Sequence, residues 1–285
     1  MSSLAEQLGV SATVLQDALR IVQIQPLNSS LPAKCYEQWQ KRAEMHQIVT
    51  RTIPILEARE AAWKIVQAVA SAQSVDGKPN TIHYTNNIKM EFAVARHLAL
   101  TSYVSISWSI YDRLANVCGR LSSIGELSNH LKQNPRLCED LLGEIEEQGK
   151  RKKRDTMGFG SHLHIYAAYA WPIKVSYKIR NWLVHEGYEE GSTSLFKSDG
   201  ITDQFLLHDD AIQYLQRVCG GENDGKMKGE ATCISENNDR WVRRDLLEIL
   251  EQYNTEIDTM FTALLKWSVD SFVGQIRAFA SRDQV

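Results

Sequence analysis

Turn-forming residues are scarce in this chain, and they gather in one place. Among 285 residues there are six prolines and 16 glycines, and seven of the glycines (Gly187, Gly191, Gly200, Gly220, Gly221, Gly225, Gly229) fall within one stretch. Elsewhere few residues pre-set a turn, so the pattern predicts long uninterrupted elements. An all-β sandwich or barrel needs a turn every ~8–12 residues, so the expected fold class is all-α. Hydrophobic residues at 43% and charged residues at 24% are enough to build a core, and too apolar for a disordered chain.

Charge and cysteine usage narrow the setting. A net charge of -3 lacks the global basic excess of many nucleic-acid binders but leaves room for local patches. Five cysteines (Cys35, Cys118, Cys138, Cys219, Cys233) contain no C-x-x-C pair, and their number is odd. Neither a disulfide framework nor a zinc knuckle is expected, and a reducing cytoplasm is. The opening MSSLAEQLGV has no basic region before an apolar run, so no signal peptide is expected. The charge-free run Leu98–Tyr111 falls short of the ~20 apolar residues that span a bilayer. No membrane association is expected.

Along the chain, residues 1–25 read as two short helices with a turn at Gly9-Val10 and Ser11 as N-cap of the second. Residues 4–20 thus resemble a helix-turn-helix half-motif, which would make the chain a DNA-binding regulator. The second helix carries no basic run to grip phosphates, and such contacts supply most of that affinity. Residues 33–71 read as a long helix or a broken pair, with Pro54 as the break. Asp76–Asn80 is a turn that marks a boundary, giving an N-terminal helical extension over 1–80 and a bundle over 81–285. Residues 88–122 are apolar or small on nearly every side, as in the middle helix of a bundle, with Glu91 and Asp112 flanking that span. Residues 189–238 form an irregular glycine-rich insertion with one helical piece near 209–218. The last helix, 239–281, is capped by Asn238 or Asp239. Its seam repeats at heptad spacing: Leu246, Leu250, Tyr253, Ile257, Met260, Leu264, Trp267 and Ser271.

The chemistry concentrates in Trp171–Tyr188, WPIKVSYKIRNWLVHEGY. Pro172 suits a first helical turn and Gly187 a C-terminal stop. Val175, Ile179, Trp182, Leu183 and the stem of Glu186 form an expected buried stripe. Tyr177, Asn181, His185 and Tyr188 fall on a different face, with Arg180 at its edge.

Arg180-Asn181-Trp182-Leu183-Val184-His185 resembles the R-x(4–6)-H motif of HEPN domains, including the polar residue that often follows the arginine. The helical surroundings of 85–285 resemble that family as well. The resemblance implies a HEPN-like bundle and metal-independent RNA endonuclease activity at a cleft between two paired subunits. Many members are toxins or antiviral-defence effectors, some with an antitoxin or other regulatory protein partner. Others are non-catalytic adaptors that bind a protein or nucleotide. In some toxins of the family a tyrosine two residues after the histidine is modified. Here Gly187 holds that place and Tyr188 follows it.

The residues support that chemistry on their own terms. Cleavage by a ribose 2′-hydroxyl needs a proton acceptor, a proton donor and positive charge at the phosphorane. Imidazole carries protons near neutral pH, and guanidinium offers a fixed fork of donors to phosphate oxygens. His185, in the last turn of its helix, would be favoured as imidazolium and suits the general acid or a phosphate anchor. Asn181 would orient the imidazole or a phosphate oxygen. On an ideal helix Arg180 and His185 stand about 140° apart, so two copies across a two-fold axis would complete a site, or a distortion near Gly187 would. The structural alternative pairs Arg180 with Asp112 or Glu91. Lys150, Arg151, Lys152, Lys153 and Arg154 read either as a solvated run or as an RNA-binding segment ahead of the motif. No cofactor or metal site is expected. His162 and His164 lack a third ligand nearby, Gly158-Phe159-Gly160 lacks the lysine of a phosphate loop, and Trp108, Tyr111 and Trp267 read as core.

Overall fold

In the computed structural model the described residues are 2–24, 33–71, 81–83, 89–122, 172–173, 176–177, 179–181, 183–184, 193–196, 204–207, 234–237, 240–243 and 246–280. The fold is all-α. Its long elements are α1 (Leu4–Ile24), α2 (Ala33–Ala43), α3 (His46–Ser71), α4 (Phe92–Ser122) and α5 (Leu246–Ala280). Three two-stranded antiparallel ribbons accompany them: β1 (Thr81–His83) with β2 (Lys89–Glu91), β3 (Thr193–Phe196) with β4 (Gln204–Leu207), and β5 (Ile234–Asn237) with β6 (Arg240–Arg243). No described helix is long and apolar enough to cross a membrane.

Several sequence expectations are corrected. Leu4–Ile24 forms one helix, without a turn at Gly9-Val10, so the helix-turn-helix reading has no structural basis. The start of α1 is fixed by a capping box: Ser3 N–H donates to Glu6 Oε2 at 2.8 Å, and Glu6 N–H donates to Ser3 Oγ at 3.2 Å. Ser11 is buried mid-helix, where it accepts from Gln7 Nε2 at 3.0 Å. Burial at Leu4, Leu8, Ser11, Leu15, Ala18 and Val22 alternates by four and three, and that stripe carries the helix through Gly9.

The break expected at Pro54 lies earlier, between Ala43 and His46. There Met45 N–H bonds the Arg42 carbonyl at 3.1 Å and His46 Nδ1 lies 3.2 Å from the Ala43 carbonyl. Pro54 stays inside α3 on an exposed side. There water can solvate the carbonyl that the ring leaves unbonded, which softens the usual interior cost of ~3 kcal/mol. The last helix begins at Leu246 rather than 239, because Arg240–Arg243 pairs with Ile234–Asn237 instead. The intervening Asn238-Asp239 has the side chains that tight hairpin turns favour. The stretch 189–238, expected to be irregular, contributes β3, β4 and β5. Its anticipated helical piece near 209–218 lies outside the described residues, as does the Asp76–Asn80 turn.

The chain groups into two compact units. The first comprises Met1–Leu56, Ser109–Ala170 and Glu256–Val285. Its buried residues include Leu8, Leu15, Ile110, Tyr111, Leu114, Phe261, Leu264, Leu265 and Phe272. Tyr111 stacks on Phe261 with ring centres 5.6 Å apart, and its hydroxyl donates to Asp258 Oδ1 at 3.3 Å. Cys118 is buried among these residues as a free thiol, and burial pushes its pKa up to about 12.

The second unit comprises Glu57–Trp108 and Trp171–Thr255. In it α4 meets both long neighbours through one residue. Tyr103 packs on Trp63 of α3 with ring centres 4.6 Å apart, and its hydroxyl accepts from buried Asn254 Nδ2 of α5. A buried amide must find such a partner, since leaving it unmet costs ~1–3 kcal/mol.

Along α5 the expected seam holds at Leu250, Tyr253, Ile257, Met260 and Leu264, all buried. Further on, Ser268 and Phe272 are the buried positions, while Trp267 and Ser271 are half-buried. A straight α-helix drifts by ~20° per heptad, and the drift moves the seam one residue along.

Candidate active site on the Arg180 segment

Residues 172–173, 176–177 and 179–181 are α-helical, and residues 183–184 take the wider turn of a π-helix. Pro172 and Ile173 are buried. Ile179 and Leu183 are each 1% exposed, and they form the packed side the spacing predicts. Ser176 is buried too, and its Oγ has no hydrogen-bond partner among the described residues.

Tyr177, Arg180 and Asn181 are half-buried, away from the side of Ile179 and Leu183. Tyr177 meets Trp108 of α4 edge-on, with ring centres 5.0 Å apart and planes at 71°. Such a contact is worth ~0.5–1.5 kcal/mol beyond its buried area, and it ties this segment to α4 within the second unit. Tyr177 thus has a packing role that its place in the polar stripe did not reveal. Arg180 NH1 donates to Asn181 Oδ1 at 2.8 Å, so the amide after the arginine fixes the guanidinium.

The remaining expected site residues are placed unevenly. Asp112 is half-buried on α4, and Glu91 ends β2. His185, Tyr188 and the basic run Lys150, Arg151, Lys152, Lys153 and Arg154 lie outside the described residues, as do Val175, Trp182, Glu186, His162, His164 and Gly158–Gly160. Among the described residues no group of three or more His, Cys, Asp or Glu side chains could hold a metal ion.

The structure adds His97, a titratable side chain that motif reading passed over. It lies on α4 with Thr101 one turn on, Thr101 Oγ1 standing 3.4 Å from its Nε2, and burial lowers its pKa. His97, Thr101, Val104 and Trp108 recur at helical spacing, so this face was legible as periodicity before any chemistry was assigned to it. Compared with known proteins, the chain matches no family model, no curated protein and no solved structure.

Proposed function

We propose that this chain is a metal-independent RNA endonuclease of HEPN type. It cleaves by attack of a ribose 2′-hydroxyl on the adjacent phosphodiester, and it works as a homodimeric toxin or antiviral-defence effector. The observation that carries this reading is the Arg180–Asn181 pair. A guanidinium held by its neighbour's amide oxygen at 2.8 Å is a planar, oriented fork of donors, the geometry that binds two phosphate oxygens.

The π turn at 183–184 supports the same reading. It lies in sequence between the two motif positions. A π turn closes over five residues rather than four, so it draws side chains five apart toward one face. Such turns occur frequently at functional sites.

In this mechanism Arg180 stabilises the charge of the phosphorane, where preorganised donors act most strongly. His185 protonates the departing 5′-oxygen, and the neutral His185 of the partner subunit takes the proton of the attacking 2′-hydroxyl. Asn181 holds the arginine in place. Tyr177 braces the segment against Trp108. On the same reading Glu91, Asp112 and Tyr188 are supporting residues, and Lys150–Arg154 bind RNA phosphates.

The test is RNA cleavage by purified protein, with Arg180→Ala and His185→Ala each made separately. Each is expected to abolish cleavage, and any toxicity on expression, without lowering the unfolding midpoint. Cleavage retained in the double variant would sink the assignment. RNA binding without cleavage in the unaltered protein would favour an adaptor instead.

A further inference from the structure

We infer that Arg42 and His46, at the junction of α2 and α3, form a binding site for a terminal phosphate group. The site lies within the first unit and does not depend on the nuclease reading. α2 ends at Ala43 and α3 begins at His46. Across the break Glu44 N–H bonds the Gln40 carbonyl at 2.9 Å, Met45 N–H the Arg42 carbonyl at 3.1 Å and Gln47 N–H the Glu44 carbonyl at 3.0 Å. These bonds keep the chain coiled, so His46 stands about one turn beyond Arg42 on the same side. Residues so spaced leave ~5–6 Å between their Cβ atoms.

The acids of this part of the chain are all engaged elsewhere. Residues 1–56 contain four: Glu6, Asp17, Glu37 and Glu44. Glu6 caps α1 through Ser3, Asp17 pairs with Arg20 at 3.3 Å, Glu37 pairs with Lys41 at 2.5 Å, and Glu44 accepts from Gln40 at 3.4 Å. Arg42 is half-buried, and among the described residues its guanidinium meets no carboxylate and donates no hydrogen bond. Burial lowers its pKa, with no acid acting in the opposite sense. Arginine is rarely buried unless it is paired, and the guanidinium keeps its charge regardless. A helix end favours a cation, but Lys41 supplies one in the same turn while remaining exposed. The burial of Arg42 therefore needs another account.

His46 adds a second donor rather than a counter-charge. Its Nδ1 lies 3.2 Å from the Ala43 carbonyl. A carbonyl can only accept, so Nδ1 carries a proton and the ring is held in one orientation. Nε2 has no hydrogen-bond partner among the described residues, and in the imidazolium form, which imidazole reaches near neutral pH, it donates too. Two cations four residues apart repel each other unless an anion stands between them. The guanidinium fork takes two oxygens of that anion, and Nε2–H takes a third. A carboxylate or a backbone phosphodiester has only two charged oxygens to offer. Inorganic phosphate or a phosphate monoester has three, and the donor set selects that group. Tyr36 and Trp39 stand in the turn before Arg42, half-buried and edge to face with ring centres 6.2 Å apart. Aromatic surface there displaces water, and charge attraction strengthens as water is displaced.

The experiment is calorimetric titration of inorganic phosphate into the full chain, in chloride buffer at constant ionic strength. Saturable binding is expected. Arg42→Met should raise the dissociation constant about 100-fold and His46→Gln about 10-fold, as hydrogen bonds to a charged group are lost. Arg42→Lys keeps the charge without the fork and should fall between the unaltered protein and Arg42→Met. Lys41→Met removes an equal charge one residue away and should change binding less than about twofold. Circular dichroism confirms the helix content of each variant. In phosphate-free urea unfolding Arg42→Met should be at least as stable as the unaltered protein, because an unpaired charge has left a half-buried place. Absence of saturable binding overturns the inference, and so does an equal loss in Lys41→Met and Arg42→Met. Two 2′-O-methyl oligonucleotides, alike except for a 5′-phosphate, then identify the source of the group. Displacement of inorganic phosphate by the phosphorylated one alone assigns the site to an RNA end, and displacement by neither assigns it to a free phosphate. Equal displacement by both would seat a backbone diester there and overturn the three-oxygen fit. No readout involves cleavage, so failure of the nuclease reading leaves this site standing.

Discussion

Arg180 and Asn181 are chain neighbours, and adjacent residues on a helix usually point to different sides. Their 2.8 Å hydrogen bond was therefore invisible to reasoning by helical faces, which assigned Asn181 to the imidazole or a phosphate oxygen. With Oδ1 taken by the arginine, Asn181 becomes a positioning residue. If the nuclease reading holds, Asn181→Leu is expected to lower kcat about 10- to 100-fold, matching loss of a hydrogen bond to a charged group worth ~1.5–3 kcal/mol. Asn181→Asp keeps the acceptor, so kcat should fall less. Its added negative charge should repel the phosphate and raise KM. Steady-state cleavage kinetics separate these outcomes, and equal loss of kcat in both variants would refute a positioning role.

Elements were legible where a period was sustained, and misread where one residue was given too much weight. The stripe Leu4, Leu8, Leu15 and Val22 runs through Gly9, yet glycine suggested a turn. The Ser3-x-x-Glu6 capping box was present in the sequence and would have placed the start of a single helix. Pro54 likewise suggested a break, although an exposed proline can sit inside a helix that packs along its other side. The ribbons had weaker signals: four-residue strands such as Arg240–Arg243 offer too short an alternation to outweigh the helix that follows. The continuity of α1 has a direct consequence. A Cβ built on Gly9 meets nothing within 4 Å, and helix-interior glycine costs roughly 0.5–1 kcal/mol relative to alanine. Gly9→Ala should therefore stabilise the protein by about that amount in urea unfolding. A two-helix hairpin turning at Gly9 would instead lose stability.

At the scale of the whole molecule, the all-α class followed from the distribution of glycine and proline, because turns limit how long an element can run. The grouping into two units did not follow, because α3, α4 and α5 each contribute residues to both, and no change of composition marks those places. Burial on that scale also shapes how stability responds to acid, and the contribution of His97 has a definite sign. Desolvation on α4 lowers its pKa from 6.5, whereas in the unfolded chain it titrates near ~6.5. Between these two values the unfolded chain binds more protons than the folded one, so stability rises with pH across that window and is level above it. Acidification through about pH 6.5 should thus weaken the fold, and the loss should stop growing below the depressed folded pKa. His97→Gln removes this contribution while keeping a polar group beside Thr101. Urea unfolding of both proteins at closely spaced pH values isolates it, since carboxylates common to both cancel in the difference. The unaltered protein should lose more stability than the variant as pH falls from about 7.5 through 6.5, and parallel curves would show that His97 is as well solvated folded as unfolded.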